Sequence, residues 1–332
     1  SQAKLMFSRN LGAFSVLRLG GEYQYAAELS SLNGNKANYV DNYTAAFAEG
    51  DIYFTPSFVG RVGGRAEYTS ILGKMNFAPR LSLAYKVNNY SQFSVAYGDY
   101  YQKPEPQYIR FDNGLGYVKA THYILSYQRV ANDYTFRTEL FYKKYEDLVK
   151  TAPSYSNNGS GYAQGIEFFW RDRKTFRNVD YWISYSYLDT KRDYLDYPFR
   201  VQPDFAAKHT ASIVYKHFLP RLGTNLGVTY TFATGRPYYD PNLPEDRFMS
   251  ERTITYNAVG LSASYLTTIR KAFTIFVLSV SNALGNKQVF GYHYSTDGLR
   301  RGEVTPNVPR FVYLGMFMNF GIDRRQDVIN NL

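Results

Sequence analysis

Cysteine is absent from the 332-residue sequence. This absence excludes disulfide frameworks, thiolate nucleophiles and zinc or iron–sulfur sites with cysteine ligands. No run of about 18 apolar residues occurs either, which excludes membrane-spanning helices of the usual kind. The chain begins at Ser1 without a basic-then-apolar segment, so we expect any export signal to lie upstream of it.

Blocks of like charge are also missing. The 38 Lys and Arg residues are scattered among 28 Asp and Glu residues, which leaves a net charge of +10. A basic balance is compatible with nucleic-acid binding, but scattered charges are more typical of a solvated surface. We therefore predict that nucleic acid is not a partner.

Motifs for catalysis and metal binding are lacking as well. The four histidines, at 122, 209, 217 and 293, form neither a close pair nor an H-E-x-x-H helix. The sequence has no G-x-S-x-G elbow and no glycine-rich phosphate loop. We predict a protein that is not an enzyme and has no protein-built metal site and no cofactor.

Aromatic residues are in excess, because 34 Tyr, 24 Phe and 2 Trp make 18% of the chain. Many of them alternate with small polar residues; Leu226, Val228 and Tyr230, for example, alternate with Gly227 and Thr229. This period of two predicts strands with one apolar and one polar face. The apolar face is compatible with a soluble core and with lipid.

Fourteen strands follow from this pattern. They are predicted at 13–27, 41–54, 58–70, 79–88, 91–101, 119–131, 134–148, 162–174, 179–189, 206–218, 221–234, 253–267, 272–283 and 310–321. Their lengths suit a tilted membrane-spanning strand of about 9–11 residues better than an average strand of about 5–6. Every odd connection is long and every even one short, as in barrels with short periplasmic turns and long extracellular loops. The predicted fold class is all-β, a transmembrane antiparallel up-and-down β-barrel.

Seven segments resemble, in order, the C-terminal barrel of TonB-dependent outer-membrane receptors. They are NFAPRLSLAYK (76–86), SVAYGDYYQKPE (94–105), GYAQGIEFFW (161–170), KHTASIVY (208–215), TFATGRPYYDP (231–241), SNALGNKQVFGYHYS (281–295) and RFVYLGMFMNFG (310–321). Gly-Arg-Pro at 235–237 and Ser-Asn-Ala-Leu-Gly at 281–285 are the most characteristic of these strings.

The resemblance implies a barrel of about 22 strands around an N-terminal plug, of which about 14 belong to this chain. Residues 1–321 would be the C-terminal part of the barrel and 322–332 a periplasmic extension, with the plug and first strands outside this chain. Ala3 to Ser8 is then the tail of a further strand. We expect strands 13–27 and 310–321 not to pair with each other, because each would pair with a strand outside this chain.

The function that the resemblance implies is active import across the bacterial outer membrane. A scarce solute, such as a siderophore, glycan or peptide, would bind at extracellular loops and enter with TonB-supplied energy. The implied partners are the lipid bilayer, lipopolysaccharide, the receptor's own plug, the TonB complex acting through that plug, and a surface lipoprotein. The alternative is a passive fourteen-stranded channel, porin-like or for hydrophobic solutes, and a third reading is an adhesion barrel.

Ligand contacts are expected on the long connections, which contain many Tyr and Arg residues. A Tyr side chain is rigid and amphipathic, and an Arg guanidinium can donate two parallel hydrogen bonds, so both are favoured at binding sites. The candidates are Tyr108, Arg110, Tyr194, Tyr197, Arg200, Arg236, Tyr238, Tyr239, Arg247, Tyr292, Tyr294, Arg300 and Arg301. For any one of them, loop packing or lipopolysaccharide contact is the more frequent explanation, but as a group they favour an anionic or aromatic ligand. On the strands, Arg137, Glu139, Glu167 and Arg171 are predicted to face the lumen.

Overall fold

A computed structural model of the chain describes residues 1–12, 15–32, 35–109 and 114–320, with side chains except at 28–39. The elements in chain order are β1 (Gln2–Asn10), β2 (Ser15–Leu32), β3 (Asn35–Thr55), β4 (Phe58–Thr69), β5 (Lys74–Lys86), β6 (Ser91–Gln102), α1 (Pro106–Ile109), β7 (Val118–Val130), β8 (Tyr134–Lys150), β9 (Ser156–Asp172), β10 (Val179–Asp193), β11 (His209–Leu219), β12 (Thr224–Ala233), β13 (Pro237–Tyr238), β14 (Glu251–Arg252), β15 (Tyr256–Ile269), β16 (Ala272–Ser281), β17 (Gly291–Tyr294), β18 (Arg301–Val304) and β19 (Phe311–Asn319). Short 3₁₀ turns lie at Pro220–Leu222 and Glu245–Arg247. None of the helices in these ranges has the length and apolar character needed to cross a membrane.

Fifteen of the strands form a sheet in which neighbours in sequence are neighbours in space, from β1 to β12 and then β15, β16 and β19. The remaining four form two separate hairpins, β13 with β14 and β17 with β18. This topology confirms the predicted antiparallel up-and-down fold. Gln2–Asn10 pairs with β2 along its whole length, so the expectation that Ala3 to Ser8 belongs to a further strand is confirmed, and that strand makes the fifteenth of the sheet.

The chain divides into two compact units. The first contains Ser1–Gln128, Glu139–Gly165 and Asp189–Gln202, and the second contains Arg129–Thr138, Ile166–Leu188 and Pro203–Leu332. The chain passes from one unit to the other within β7, β8, β9 and β10.

Two strands stand at the edges of the described sheet. β1 has β2 as its one neighbour, and β19 has β16. The strand predicted at 13–27 corresponds to β2, which lies between β1 and β3. The expectation that it does not pair with the strand at 310–321 is thus confirmed for the described residues.

Four connections at one end of the strands are long, as predicted. They are 103–117, 194–208, 234–255 and 282–310. The turns at the other end are short, as predicted, and include 56–57, 87–90, 131–133, 220–223 and 270–271.

The expected long connection at 28–40 is wrong. β2 and β3 continue as a hairpin whose last paired residues are Leu32 and Asn35. The connections at 70–73 and 151–155 are also shorter than predicted, because β5 and β9 begin earlier. In each case the antiparallel ladder can continue beyond the membrane, because backbone hydrogen bonds remain favourable there. The side chains no longer alternate strictly in that region, so the sequence pattern does not indicate the strand.

The two faces of β12 differ in exposure as the alternation predicts. Leu226, Val228 and Tyr230 are 42%, 41% and 36% exposed, whereas Gly227 and Thr229 between them are partly covered. An apolar side chain that remains exposed on a sheet favours contact with lipid over contact with water.

Ion pairs connect β2, β3 and β4 in the first unit. The Arg18 Nη1 and Arg61 Nε atoms lie 2.7 and 2.6 Å from the Asp51 carboxylate, which is itself buried. Arg65 binds both Glu22 and Glu67, at 2.9 and 2.6 Å. A buried charge such as Asp51 requires partners of opposite sign, and the neighbouring strands supply them.

The predicted lumen-facing residues have different surroundings. In the second unit the Arg171 guanidinium makes a two-pronged contact with Asp180, at 2.9 and 2.6 Å. The other three, Arg137, Glu139 and Glu167, make no ion pair with a described residue. That they face a lumen stays a prediction.

We expect Val228→Arg to lower the free energy of unfolding by about 2–4 kcal/mol, because a charge on the lipid face near the midplane loses its hydration. Thr229→Arg, one residue along and on the other face, is the matched control and should cost far less. Urea titration of the full-length receptor in phospholipid vesicles measures both. A larger loss at Thr229 would reverse the assigned faces.

Candidate ligand-binding site

The connection 234–255 leaves β12 through a tightly anchored turn. The Arg236 N–H donates to the Thr253 hydroxyl at 3.0 Å, and the Thr253 N–H donates to the Arg236 carbonyl at 2.9 Å. β13 and β14 then pair Pro237 with Arg252 and Tyr238 with Glu251. The connection therefore leaves the sheet as a short hairpin instead of an open loop.

Gly235 allows the two arms of this hairpin to approach each other. A Cβ atom built on Gly235 would lie 2.0 Å from the carbonyl oxygen of Thr253. No side chain fits at that distance, because the obstacle is backbone. The Gly-Arg-Pro string singled out in the sequence is thus explained by close backbone contact.

The connection 282–310 begins with a turn formed by the Ser-Asn-Ala-Leu-Gly string. The Asn282 side-chain amide donates to the carbonyls of Asn286 and Pro309, both at 2.8 Å. Asn282 and Gly285 adopt φ angles of +46° and +70°, a region in which Asn and Gly are favoured. This turn holds the start and the end of the connection together.

A hydrogen bond joins the two connections. The Asn242 side-chain amide donates to the Gly298 carbonyl at 3.0 Å. The two connections border a cavity of about 610 Å³, to which Asp204 and Phe205 of the connection 194–208 also contribute. The cavity is lined by Asp204, Phe205, Arg236, Pro237, Tyr238, Tyr239, Pro241, Met249, Phe290, Gly291, Tyr292, His293, Tyr294 and Ser295.

Aromatic rings and a guanidinium group form one wall of the site. The rings of Tyr238 and Tyr292 lie 4.5 Å apart between centroids, and the Arg301 guanidinium sits 4.4 Å above the Tyr292 ring. Arg301 Nη1 also donates to the Tyr238 hydroxyl at 3.1 Å. Tyr238 is buried, so this wall is fixed before any ligand arrives.

The polar groups behind this wall influence one another's protonation. Burial, and then a hydrogen bond to Asp240, raise the pKa of Tyr294. The backbone N–H of Asn242, together with Tyr294 and Arg301, lowers the pKa of Asp240. A hydrogen bond with Tyr294 in turn raises the pKa of Arg301. Arg301 is therefore a permanent cation and Tyr294 a neutral phenol at neutral pH.

Two arginines at this site lack an ion-pair partner. No carboxylate of a described residue lies within 4.0 Å of the side-chain nitrogens of Arg236 or Arg301. Their charges remain available to a ligand, whereas an arginine already paired with a carboxylate would have to give up that contact. The site can accept an anion next to aromatic rings.

The structure brings together six of the residues predicted from sequence. Arg236, Tyr238, Tyr239, Tyr292 and Tyr294 line the cavity, and Arg301 contacts two of them. Arg247 and Arg300 are in the same two connections but do not line it. The Arg247 side chain is exposed and pairs with Glu251 at 2.7 Å.

Four other candidates belong to the first unit. Tyr197 is buried and packs against Tyr194 at 4.7 Å between ring centroids, and Arg200 donates to the Ser160 hydroxyl at 2.5 Å. Tyr108 is half-buried in α1. Tyr194 and Tyr197 pack within their own loop and Arg200 contacts β9, and a ligand role for these residues stays a prediction. Arg110 lies outside the described residues, as does the predicted extension 322–332.

Several lining residues were not predicted, chiefly Asp204, Phe205, Met249 and Phe290. Phe205 and Phe290 belong to the aromatic excess of the chain, which could have indicated them. Asp204 and Met249 carry no such signal. No group of three or more His, Asp or Glu residues in the described ranges is placed to hold a metal ion.

We expect Gly235→Ala to open the hairpin of β13 and β14, because the new methyl group would collide with the Thr253 carbonyl. Gly291→Ala is the matched control, since nothing lies within 4 Å of a Cβ atom at that lining residue. Limited proteolysis of the intact receptor should show new cleavage within 234–255 for the first variant only. Equal protection of both variants would contradict the close approach.

Solved structures similar to this chain are receptors and transporters. A ferric enterobactin receptor, PfeA from Pseudomonas aeruginosa, has a TM-score of 0.75 at 13% identity over 95% of this chain and 53% of that chain. The ferric yersiniabactin uptake receptor FyuA from Yersinia pestis has a TM-score of 0.72 at 14% identity over 96% and 54%. The outer membrane transporter YddB from Escherichia coli has a TM-score of 0.71 at 14% identity over 95% and 53%.

The chain therefore spans about half the length of these structures, and at such identities the likeness concerns the fold. No curated protein matches the chain. The family model described as TonB dependent receptor-like, beta-barrel, matches residues 2–283. Since that match covers most of the sequence, the chain belongs to the TonB-dependent receptor β-barrel family of the bacterial outer membrane.

Proposed function

We propose that this chain is the C-terminal barrel part of an active importer that captures an anionic, aromatic solute in the cavity between 234–255 and 282–310. The observation that carries the proposal is a pair of guanidinium groups without a carboxylate partner among the described residues: Arg301 lies over the Tyr292 ring, and Arg236 lines the same cavity as Tyr238 and Tyr292. A cavity of about 610 Å³ is in the usual range for small ligands. An aromatic anion would contact both the charges and the rings.

A ferric siderophore of the catecholate type has this chemistry, and it is the class of solute that we propose. Its iron would be cargo bound by the chelator, so the protein itself needs no metal ligands. Solved receptors that share the fold include those for ferric enterobactin and ferric yersiniabactin. A glycan is a poorer match to two unpaired cations, because neutral sugars offer no negative charge.

Energy for import would come from the TonB complex acting on a plug domain outside this chain. A surface lipoprotein is a further candidate partner on the long connections. The passive-channel alternative requires a closed ladder of strands, and no described strand other than β16 pairs with β19. The open edges of the described sheet therefore favour a barrel completed by other strands.

Replacing both arginines by glutamine should weaken capture of a ferric catecholate about tenfold to a thousandfold, because two charge-assisted contacts are lost. The measurement is binding of radiolabelled ferric enterobactin to cells that produce the full-length receptor. Arg247→Gln is the control, since its side chain pairs with Glu251 outside the cavity. Unchanged binding in the double variant, with the receptor present at the surface, would contradict the assignment of the site.

The orientation can be tested separately, because the chain has no native cysteine. Gln107→Cys and Glu245→Cys, in two long connections, should react with a membrane-impermeant maleimide on intact cells. Asn132→Cys and Pro220→Cys, in short turns, should react only after the outer membrane is opened. Labelling of the short turns on intact cells would invert the topology.

A further inference from the structure

The end of the second unit opposite the long connections is strongly basic. Its short turns and strand ends carry Arg129, Arg173, Lys174, Arg177, Arg221, Arg270 and Lys271, all of them exposed. No carboxylate of a described residue lies within 4.0 Å of their charged groups. Unpaired charges repel one another, so a cluster of them indicates an external anion.

The acidic residues nearby do not neutralise this cluster. Asp172 is buried and accepts hydrogen bonds from the Lys174 and Thr175 N–H groups at 2.7 and 2.9 Å and from the Thr175 hydroxyl at 2.6 Å. Its carboxylate therefore holds the shape of the turn 173–178. Asp133 is exposed and forms no ion pair with a described residue.

An aromatic ring stands directly beside one of these cations, and another lies in the turn that carries three more. The Arg129 guanidinium lies 5.1 Å from the centre of the Tyr134 ring, and that ring stacks on Trp170 at 6.0 Å. Phe176, in the same turn as Arg173, Lys174 and Arg177, is 55% exposed and contacts Tyr181. We call Arg129, Arg173, Lys174 and Arg177 the basic patch.

The turn 173–178, which carries three of the four cations, is held in place by the turn 131–133 between β7 and β8. The Arg173 N–H donates to the Asp133 carbonyl at 2.8 Å, and its guanidinium donates to the Asn132 carbonyl at 2.5 Å. The two adjacent turns, 131–133 and 173–178, therefore form one surface. Arg129 and Arg173 are thus held in place before they bind anything, by the Tyr134 ring and the Asn132 carbonyl, which lowers the entropy cost of binding.

We propose that the basic patch binds the phosphate headgroup of an anionic phospholipid in the periplasmic leaflet of the outer membrane. Tyr and Trp rings mark the depth of the headgroups, and lysine and arginine at that depth attract anionic lipids. A soluble phosphate would use the cations but would leave Val130 and Phe176, 49% and 55% exposed, in water. A lipid covers both kinds of surface, with its phosphate on the cations and its acyl chains on the apolar groups.

The patch differs from the ligand site at the other end in what its cations face. Arg236 lines a cavity of about 610 Å³ and Arg301 contacts its lining residues, whereas the four cations of the basic patch lie exposed on a turn and a strand end. The proposal depends on the barrel lying in a membrane and is independent of import. Failure of solute uptake would therefore leave it standing.

The test uses Trp170 as a local reporter. The full-length receptor, with every other tryptophan replaced by phenylalanine, is placed in phosphatidylethanolamine nanodiscs that contain brominated phosphatidylglycerol or brominated phosphatidylethanolamine. We expect about threefold stronger quenching by the anionic lipid at low salt, and a smaller preference at high salt. Equal quenching by the two lipids would overturn the proposal.

The triple variant Arg129→Gln/Arg173→Gln/Arg177→Gln should abolish the preference for the anionic lipid, because the attraction comes from these charges. The ratio of quenching by the two lipids should then be about one. The matched control is Arg221→Gln/Arg270→Gln/Lys271→Gln, which removes the same charge from the same end and should keep the preference. An equal loss in the control, or an unchanged preference in the first variant, would overturn the proposal. So would loss of the preference on adding inorganic phosphate at the concentration of the lipid phosphate.

Arg173 contributes a hydrogen bond to the fold, so the triple variant also needs a milder companion. The Arg177 side chain makes no hydrogen bond or ion pair with a described residue, and Arg177→Gln should leave the barrel folded. Heat-modifiable migration on a gel checks the folding of each variant. A preference that Arg177→Gln reduces supports the site, and one that it leaves at the full value counts against it.

Discussion

The backbone of a chain in hydrocarbon has no water to satisfy its N–H and C=O groups, and the rest of this structure depends on that constraint. The antiparallel ladder from β1 to β19 satisfies it strand by strand, at several kcal/mol for each group that would otherwise remain unpaired. The side chains are then free to differ between the two faces. Apolar residues such as Val228 remain exposed on one face, and charged residues such as Asp51 find partners of opposite sign on neighbouring strands.

The same ladder explains why the candidate ligand site is built as it is. Where β12 and β16 end, the connections leave in hairpins and turns whose own hydrogen bonds are made within the loop, at Arg236 with Thr253 and at Asn282 with Pro309. These anchors fix the direction in which the connections leave the sheet. The direction of the connections also places the residues of the cavity wall, so Tyr238, Tyr292 and Arg301 are in contact although they are distant in sequence.

The sequence was sufficient to predict the membrane-spanning strands. Each of these strands is apolar on one face, and this imposes a period of two on its residues. The sequence was insufficient above the membrane, where both faces of a strand meet water and no alternation is required; the extension of β2 and β3 to Leu32 and Asn35 was missed for this reason. The sequence predicted which residue types would form the ligand site but not which individual residues would line it. Tyr197 and Tyr238 are both buried tyrosines of long connections, and only the fold shows that Tyr238 lines the cavity.

Cations without carboxylate partners occur at both ends of the second unit, and the surroundings separate their roles. An arginine paired with a carboxylate, such as Arg171 with Asp180, uses its hydrogen-bond donors within the fold and has few available for a ligand. An arginine that lies over an aromatic ring without a carboxylate partner, such as Arg301 over Tyr292 or Arg129 over Tyr134, is oriented by the ring and keeps a charge that no carboxylate neutralises. The surroundings of these cations then determine which anion fits. A cavity between loops suits a compact solute. An exposed turn beside apolar side chains suits a molecule that is itself anchored in the bilayer.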